Sequence, residues 1–314
     1  MRTIPLVGGR TIQPEELGFT LIHEHLRVES EGIRAQWPHA YDDANQYRRA
    51  VDAVRGAVAA GVATICDPTV QGLGRDARFM ERVVAATAAQ VVAATGLYTF
   101  CDLPFMLRSR PVDFLADLFV HDIEQGIQGT RTRAGFIKFA TDAPGVTPDV
   151  EKVIRAGARA HLRTGVPIVT HTDARRATGL AQVDILSDEG VDPGRVVIGH
   201  VGDTEDLAYL EELLGRGVYL GLDCFGPDSE PPTGRRTAVV AALCARGYTD
   251  RLLLSQDACA TIDWYEGTPE GDAMRVGHMA YVATDVLPAL RGAGLSAQDI
   301  DTMTVANPRR LFEA

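Results

Sequence analysis

The sequence predicts an α/β chain folded as one (β/α)8 TIM barrel over residues 1–314, with a short N-terminal extension (1–17) and a C-terminal helical segment (274–314). Two observations predict it. Short apolar, β-rich runs alternate with amphipathic stretches along the chain, the pattern of parallel strands covered on both faces by helices. There are eight such runs, the number that closes into a barrel, and no linker, low-complexity tract or short repeat divides them.

The strand-like runs fall at residues 19–22, 62–66, 91–95, 135–139, 166–170, 195–199, 218–222 and 251–255. Between them lie helix-like stretches. Residues 43–60 place Tyr47, Ala50, Val51, Val54 and Val58 at helical spacing, and Gly61 follows as a cap. Residues 75–90, 150–165, 178–190, 205–217 and 233–247 behave alike, and 274–290 reads as a C-terminal helix. Several open with a good cap or an acidic first turn, such as Thr204-Glu205-Asp206. Two connections are longer than a barrel needs: residues 100–113 after the third strand and 258–272 after the eighth, the latter carrying Trp264 and Tyr265. Long loops at the C-terminal ends of barrel strands build substrate sites.

Composition narrows the function. The chain is 46% hydrophobic and 23% charged, ordinary for a globular protein, and its net charge of -11 argues against a nucleic-acid or anionic-membrane partner. No window resembles a transmembrane helix or a signal peptide. The cysteines (Cys66, Cys101, Cys224, Cys244, Cys259) are odd in number and form no CxxC pair, so reduced thiols in a cytoplasmic protein are expected.

The chemistry concentrates at the strand ends, where barrel enzymes keep their catalytic groups. In order, those ends carry His23 and His25, Lys138, His171, His200 and Asp257. His23 and His25 stand two residues apart, so on a strand both imidazoles face one side. The other histidines (His39, His121, His161, His278) fall in loop-like or helix-like stretches and read as surface or packing residues. A single strand-end histidine is more often a hydrogen-bonded core group than a ligand. Five strand ends bearing nitrogen or carboxylate groups converge on one mouth. Four histidines and an aspartate exceed one tetrahedral zinc site and suit two metals roughly 3.5–4 Å apart. Lys138 is anomalous there, because an ammonium would be repelled by cations. Desolvation beside positive charge depresses its pKa, and a neutral amine can react with carbon dioxide to give a carbamate whose oxygens ligate one metal each. The alternative is a substrate-binding or Schiff-base lysine.

These residues carry a resemblance. His23-Glu24-His25, Gly135-Phe136-Ile137-Lys138, Thr170-His171-Thr172, Ile198-Gly199-His200 and Ser255-Gln256-Asp257 are similar to the motifs of the phosphotriesterase family of the amidohydrolase superfamily, in its phosphotriesterase-like lactonase branch. Asp67-Pro68-Thr69 and Thr95-Gly96-Leu97-Tyr98 add to the match, which runs from about Gly18 to Phe312. The resemblance implies that His23, His25 and Asp257 hold the more buried metal and His171 and His200 the more exposed one. It implies that Lys138, as N6-carboxylysine, bridges them together with a hydroxide that attacks the substrate. Asp257 then takes the proton. Tyr98 lines the site as a catalytic and substrate-binding residue, and Trp264 packs along an acyl chain. The metals implied are zinc first, with cobalt, iron or manganese as alternatives. The implied substrate is a lactone, such as an N-acyl-homoserine lactone in quorum quenching, or an organophosphate triester. A homodimer follows by analogy.

One departure stands out. Many lactonases of this branch carry Arg after the Gly-Leu-Asp at the end of strand seven, whereas this chain has Gly221-Leu222-Asp223-Cys224. A wider, less polar wall is expected at Cys224. Phe100 likewise stands where a hydroxylated aromatic would be unsurprising. Other readings stay open at this level: a dedicated phosphotriesterase, a mononuclear deaminase that has no need of Lys138, or a non-catalytic metal-binding barrel.

Overall fold

The computed structural model describes residues 3–226, 230–265 and 279–313. Its centre is an eight-stranded all-parallel sheet: β1 (Thr20–Leu21), β2 (Thr64–Asp67), β3 (Gln90–Leu97), β4 (Ala134–Thr141), β5 (Ile168–Thr172), β6 (Val196–Ile198), β7 (Tyr219–Leu222) and β8 (Leu252–Leu254). Each strand pairs with its sequence neighbour, so no strand is skipped. The eight fall on the eight apolar runs, shifted at their ends by at most two residues.

The barrel closes just beyond the strand ends. His25 bridges Cys259 and Val28 bridges Ile262, both parallel. Asp257 N–H donates to His23 O (3.1 Å), His25 N–H to Ala258 O (2.9 Å) and Ala260 N–H to His25 O (2.9 Å). The seam between first and last strand is therefore made by the segments that carry His23, His25 and Asp257.

Alternation along the strands sorts side chains into two cores. Ile22, Val92, Phe136, Val169, Val197 and Leu253 fill the barrel interior, while Leu21, Val91, Ile137, Ile168, Leu220 and Leu252 pack under the helices. Lys138 lies two residues after Phe136, so it shares the interior face at the opposite end from the polar-free plug. That plug is built from the N-terminal extension. Ile4–Pro5 pairs antiparallel with Thr11–Ile12, and Ile4, Leu6 and Leu17 join Leu311 and Phe312 in the interior cluster.

One glycine is required by a close approach. Gly96 has φ +136°, and a Cβ there would stand 1.8 Å from the carbonyl oxygen of Lys138. The bare backbone lets β3 lie against β4 at the level of the lysine.

The covering helices are α1 (Asp43–Ala59), α2 (Ala77–Thr87), α3 (Val112–Glu124), α4 (Pro148–Thr164), α5 (Thr178–Asp188), α6 (Leu207–Gly215) and α7 (Thr233–Ala245). Asp42, Asp76, Thr147 and Asp206 cap four of them by accepting backbone N–H groups. The sequence pattern for 75–90 overran α2, which stops where Ala88 turns left-handed (φ 53°) and Gln90 begins β3.

The sequence reading gave no helix between the 100–113 loop and the strand at 135, where α3 lies. Its buried face, Leu115, Ala116, Phe119, Val120 and Ile123, has helical spacing, and it starts directly after Pro111. Within the loop, Phe105–Arg108 form one helical turn.

The helix expected over 274–290 begins outside the described residues, as does the end of the 258–272 loop. From Tyr281 onward the chain is helical, with a widened turn at Val282–Val286 before Leu287–Gly292. A second widened turn, Thr302–Ala306, precedes Asn307–Glu313. Each stands just ahead of a proline, Pro288 or Pro308. A proline ring clashes with the carbonyl four residues back, and an i→i−5 turn opens the space. No helix among the described residues is long and apolar enough to cross a membrane.

Candidate metal centre

The strand-end residues picked out by the sequence converge on the C-terminal mouth of the barrel. The imidazole of His23 (1% exposed) lies between Asp223 and Lys138. Its Nδ1 is 2.8 Å from Asp223 Oδ2, which fixes the tautomer and turns Nε2 toward the interior. Nε2 then faces Lys138 Nζ at 3.1 Å and Asp257 Oδ1 at 3.5 Å. His25 is set in the same way. Its Nδ1 meets Thr69 Oγ1 at 2.7 Å, and its Nε2 lies 3.3 Å from Asp257 Oδ1. The donor atoms of His23, His25 and Asp257 all lie within 4.8 Å of one another.

On the other side, the rings of His171 and His200 meet edge to face with centroids 4.4 Å apart, and His200 stands 4.7 Å from His23. Asp223 ties the halves together. Besides its bond to His23, its Oδ1 accepts the backbone N–H of His200 (2.7 Å) and lies 3.1 Å from His200 Nδ1. His200 Nδ1 also lies 2.9 Å from Cys224 Sγ.

Two of these residues hold a left-handed backbone, His200 at φ 61° and Asp257 at φ 51°. Non-glycine residues pay roughly 1 kcal/mol for that conformation. Here it turns the side chain at the end of β6 and β8 back over the barrel axis.

Electrostatics suit cation binding. Burial, helped by the charge of Lys138, pushes the His23 pKa down to about 3. Burial and the neighbouring His200 push His171 down to about 4. Both rings are therefore neutral at pH 7, as a ligand must be. Burial opposes ionisation of Asp257 and Asp223, yet the surrounding histidines hold both carboxyls well below the usual carboxylate range. Burial would also lower His200, but the Asp223 carboxylate holds it above the ordinary imidazole value.

Lys138 is 1% exposed, and burial brings its amine down to about 8. Its contacts are His23 Nε2 and the Thr170 carbonyl (3.3 Å), with no carboxylate in hydrogen-bond range among the described residues. Two imidazoles and a carboxylate focused on one point fit a divalent cation. A buried amine poised near neutrality between the two histidine pairs fits a group that loses its charge rather than keeps it.

Three supporting carboxylates went unassigned in the sequence. Glu24 (0% exposed), the residue between the two histidines, accepts from Ser255 Oγ (2.7 Å), Gln256 N–H (3.0 Å) and Ala258 N–H (2.8 Å). It thereby pins the turn that presents Asp257. Asp67 accepts the N–H groups of Leu26 (3.0 Å) and Thr69 (2.8 Å), holding the partner of His25. Asp142 accepts from the Tyr98 hydroxyl (3.1 Å) and lies 3.5 Å from His171 Nε2. Asp223 and Asp67 stand at strand ends inside quoted motifs, so their charge was visible in the sequence while their partners were not.

Tyr98, Phe100 and Trp264 form one aromatic wall. Tyr98 and Phe100 rings are 5.3 Å apart, Phe100 and Trp264 5.9 Å, and Tyr98 meets His171 edge to face at 5.2 Å. Phe100 is half exposed at the rim. Cys224 lines a cavity of about 330 Å³ with His171, His200 and Asp257. The less polar wall expected there is not what the cavity shows, since Asp142, Asp173, Asp203, Arg175 and Arg176 share its lining. The loops after β4, β5 and β6 supply that charge.

Of the four histidines set aside, His39 and His121 are exposed, and His161 is buried with Nδ1 2.7 Å from Val166 O. His278 lies outside the described residues.

The sequence model of the phosphotriesterase family matches residues 6–312. This chain belongs to the phosphotriesterase family. It is 48% identical over 311 residues to an aryldialkylphosphatase of Saccharolobus solfataricus, covering 98% of this chain and 99% of that one. It is 45% identical over 310 residues to a phosphotriesterase homology protein of Mycobacterium tuberculosis (96% and 95% covered). The solved structure of the phosphotriesterase from Mycobacterium tuberculosis superposes with a TM-score of 0.94 at 44% identity, over 99% of this chain and 98% of that one. The chain is thus a hydrolase of a metal-dependent family, with His/Asp groups placed to bind metal.

Proposed function

We propose that this phosphotriesterase-family protein is a binuclear metal hydrolase that opens lactones, N-acyl-homoserine lactones among them, and turns over organophosphate triesters as a secondary activity. The observation that carries the proposal is the cluster of His23, His25, Lys138, His171, His200 and Asp257 beneath the Tyr98–Phe100–Trp264 wall. An aromatic wall beside a polar centre suits an ester with an apolar arm.

In this reading His23, His25 and Asp257 hold one divalent cation and His171 and His200 another, zinc being the first choice. Lys138 Nζ would add to carbon dioxide, forming an N–C bond as one C–O π bond opens and a proton leaves, and the resulting carbamate would supply anionic oxygen donors to the centre. The cations supply Lewis acidity that makes a water nucleophilic near neutral pH and polarises the ester. The residues do the rest. Asp257 accepts the proton released as water adds to the carbonyl or phosphoryl centre. Tyr98, its hydroxyl held by Asp142, orients the substrate oxygen. Phe100 and Trp264 cover the acyl chain and exclude water.

A dedicated phosphotriesterase is the second reading, favoured by the 48% identity to a protein named for that activity. A homodimer in the cytoplasm completes the proposal. Its support is the exposed apolar surface of Phe105 (80% exposed) and its neighbour Met106.

The test is a metal-analysed hydrolysis assay of wild type and Lys138→Ala, with an acyl-homoserine lactone and a paraoxon-like triester side by side. The proposal expects two metals per chain, a higher kcat/KM on the lactone, and loss of metal and rate in Lys138→Ala. A higher kcat/KM on the triester selects the second reading. A mutant that keeps both metals and its rate removes Lys138 from the centre.

A further inference from the structure

The cavity that Cys224 shares with His171, His200 and Asp257 has a charged lip, and almost every charge on it is already matched. Asp142 is held by Tyr98 and His171. Asp173 takes Nη1 of Arg176 at 2.6 Å. Asp203 pairs with Arg236 at 2.8 Å. Asp257 faces His23 and His25. Arg175 is different. It is exposed, it lines the cavity, and among the described residues its guanidinium has no hydrogen-bond or ion-pair partner.

Its place in the fold is fixed. Arg175 sits in the turn Ala174–Arg176, four residues after His171, and its backbone N–H donates to Asp173 Oδ1 at 3.0 Å. Asp173 caps the turn, Ala174 is buried, and Ala177 ends the turn in the left-handed region (φ 53°). The side chain therefore projects from a pinned turn beside the candidate metal centre.

We propose that Arg175 is a specificity residue that recognises a carboxylate on the substrate, so that among the esters and lactones this site opens it prefers small ones bearing a free acid. The inference rests on reading the cavity as the hydrolytic site. A guanidinium offers a planar fork of donors that matches a carboxylate. The lining holds four carboxylates (Asp142, Asp173, Asp203, Asp257) and two guanidiniums, of which only Arg175 is unmatched, a balance that favours a monoanion over a doubly charged phosphate. The cavity, about 330 Å³, is at the small end for a ligand site. The cation that the sequence finds missing at Cys224 thus returns from β5, across the same cavity.

The test compares, in metal-loaded protein, a γ-lactone carrying a free carboxylate with its methyl ester. Wild type is expected to favour the free acid, and Arg175→Gln to lower the acid-to-ester ratio of kcat/KM about tenfold, chiefly through KM, the size of one charge-assisted contact. Arg175→Lys keeps part of the preference, and salt erodes it in wild type. A wild type that prefers the ester, or a ratio unmoved in Arg175→Gln, overturns the assignment. If wild type opens neither lactone, the hydrolase reading fails separately, and calorimetric binding of succinate decides for Arg175. Weaker binding to Arg175→Gln supports it and equal binding overturns it.

Discussion

Lys138 Nζ lies 3.1 Å from Nε2 of His23, an amine and an imidazole in full burial with neither offered an opposite charge by the other. Such a pair is tolerated only if one partner gives up its proton, and burial lowers both. Stability and function therefore pull apart at Lys138. Lys138→Met keeps the length of the side chain and removes the buried amine. The metal-free variant is expected to be at least as stable as wild type, by about 1 kcal/mol, in urea unfolding. The same variant should lose metal stoichiometry and at least about a hundredfold in kcat/KM. A Lys138→Met protein less stable than metal-free wild type by several kcal/mol would show that the amine is a structural tie.

Asp223 contacts His23 and His200 at once, so it orients one ligand of each pair. Asp223→Asn keeps the shape and loses the acceptor charge. Metal affinity, measured by titration against a chelating dye, is expected to fall about 10–100-fold, the usual effect of removing a partner behind a ligating histidine. Unaltered affinity would place the carboxylate outside the centre's function.

Glu24 accepts three hydrogen bonds from the turn before and after Asp257. Glu24→Ala leaves those donors unsatisfied in a buried place. A loss of roughly 3 kcal/mol or more is expected, seen as a lower urea midpoint with and without metal. Glu24→Gln, which retains an acceptor oxygen, should recover part of it. Equal midpoints for the two variants would sink this account.

Acid should weaken the metal-free protein through His23 and His171. Unfolded, His23 and His171 take up protons near the ordinary value of 6.5; folded, they stay neutral down to about 3 and about 4. At these two rings the unfolded state binds more protons between those limits, so their contribution to stability is complete above pH 6.5 and is lost as pH falls. The slope approaches roughly 1.4 kcal/mol per pH unit for each ring. His200, held above the ordinary value, is protonated in both states through the lower part of this window and adds nothing there. Urea midpoints at pH 6.5, 5.5 and 4.5 with chelator present check this, and a flat series refutes it.

The sequence made the barrel legible because each strand is buried on both faces and must be written as an unbroken apolar run. His23, His25, Lys138, His171, His200 and Asp257 were legible for a related reason: one polar strand end has a bland role, but a barrel brings five of them to one mouth. Helix α3 was not legible because it follows directly on Pro111 and the turn-rich segment from Pro104, which mask the helical spacing of Leu115, Phe119 and Ile123. Glu24, Asp142 and Asp223 were lost because their meaning lies in partners far along the chain. The contacts of Glu24 to Ser255 and of Asp223 to His23 span 231 and 200 residues, and no local pattern carries that information.

The seam where β1 meets β8 sets an order of events during synthesis. His23 and His25 emerge early, yet the bonds that fix them, His23 N–H to Ser255 Oγ and His25 N–H to Ala258 O, wait for residues made more than two hundred positions later. A ribosome-bound chain halted after β7 would own most of the donor atoms and lack the backbone bonds that seat His23 and His25. Completion of the candidate metal centre thus belongs to the last act of folding. Truncated chains would be inert by construction, and a cell would be spared a half-built hydrolase scavenging its metal.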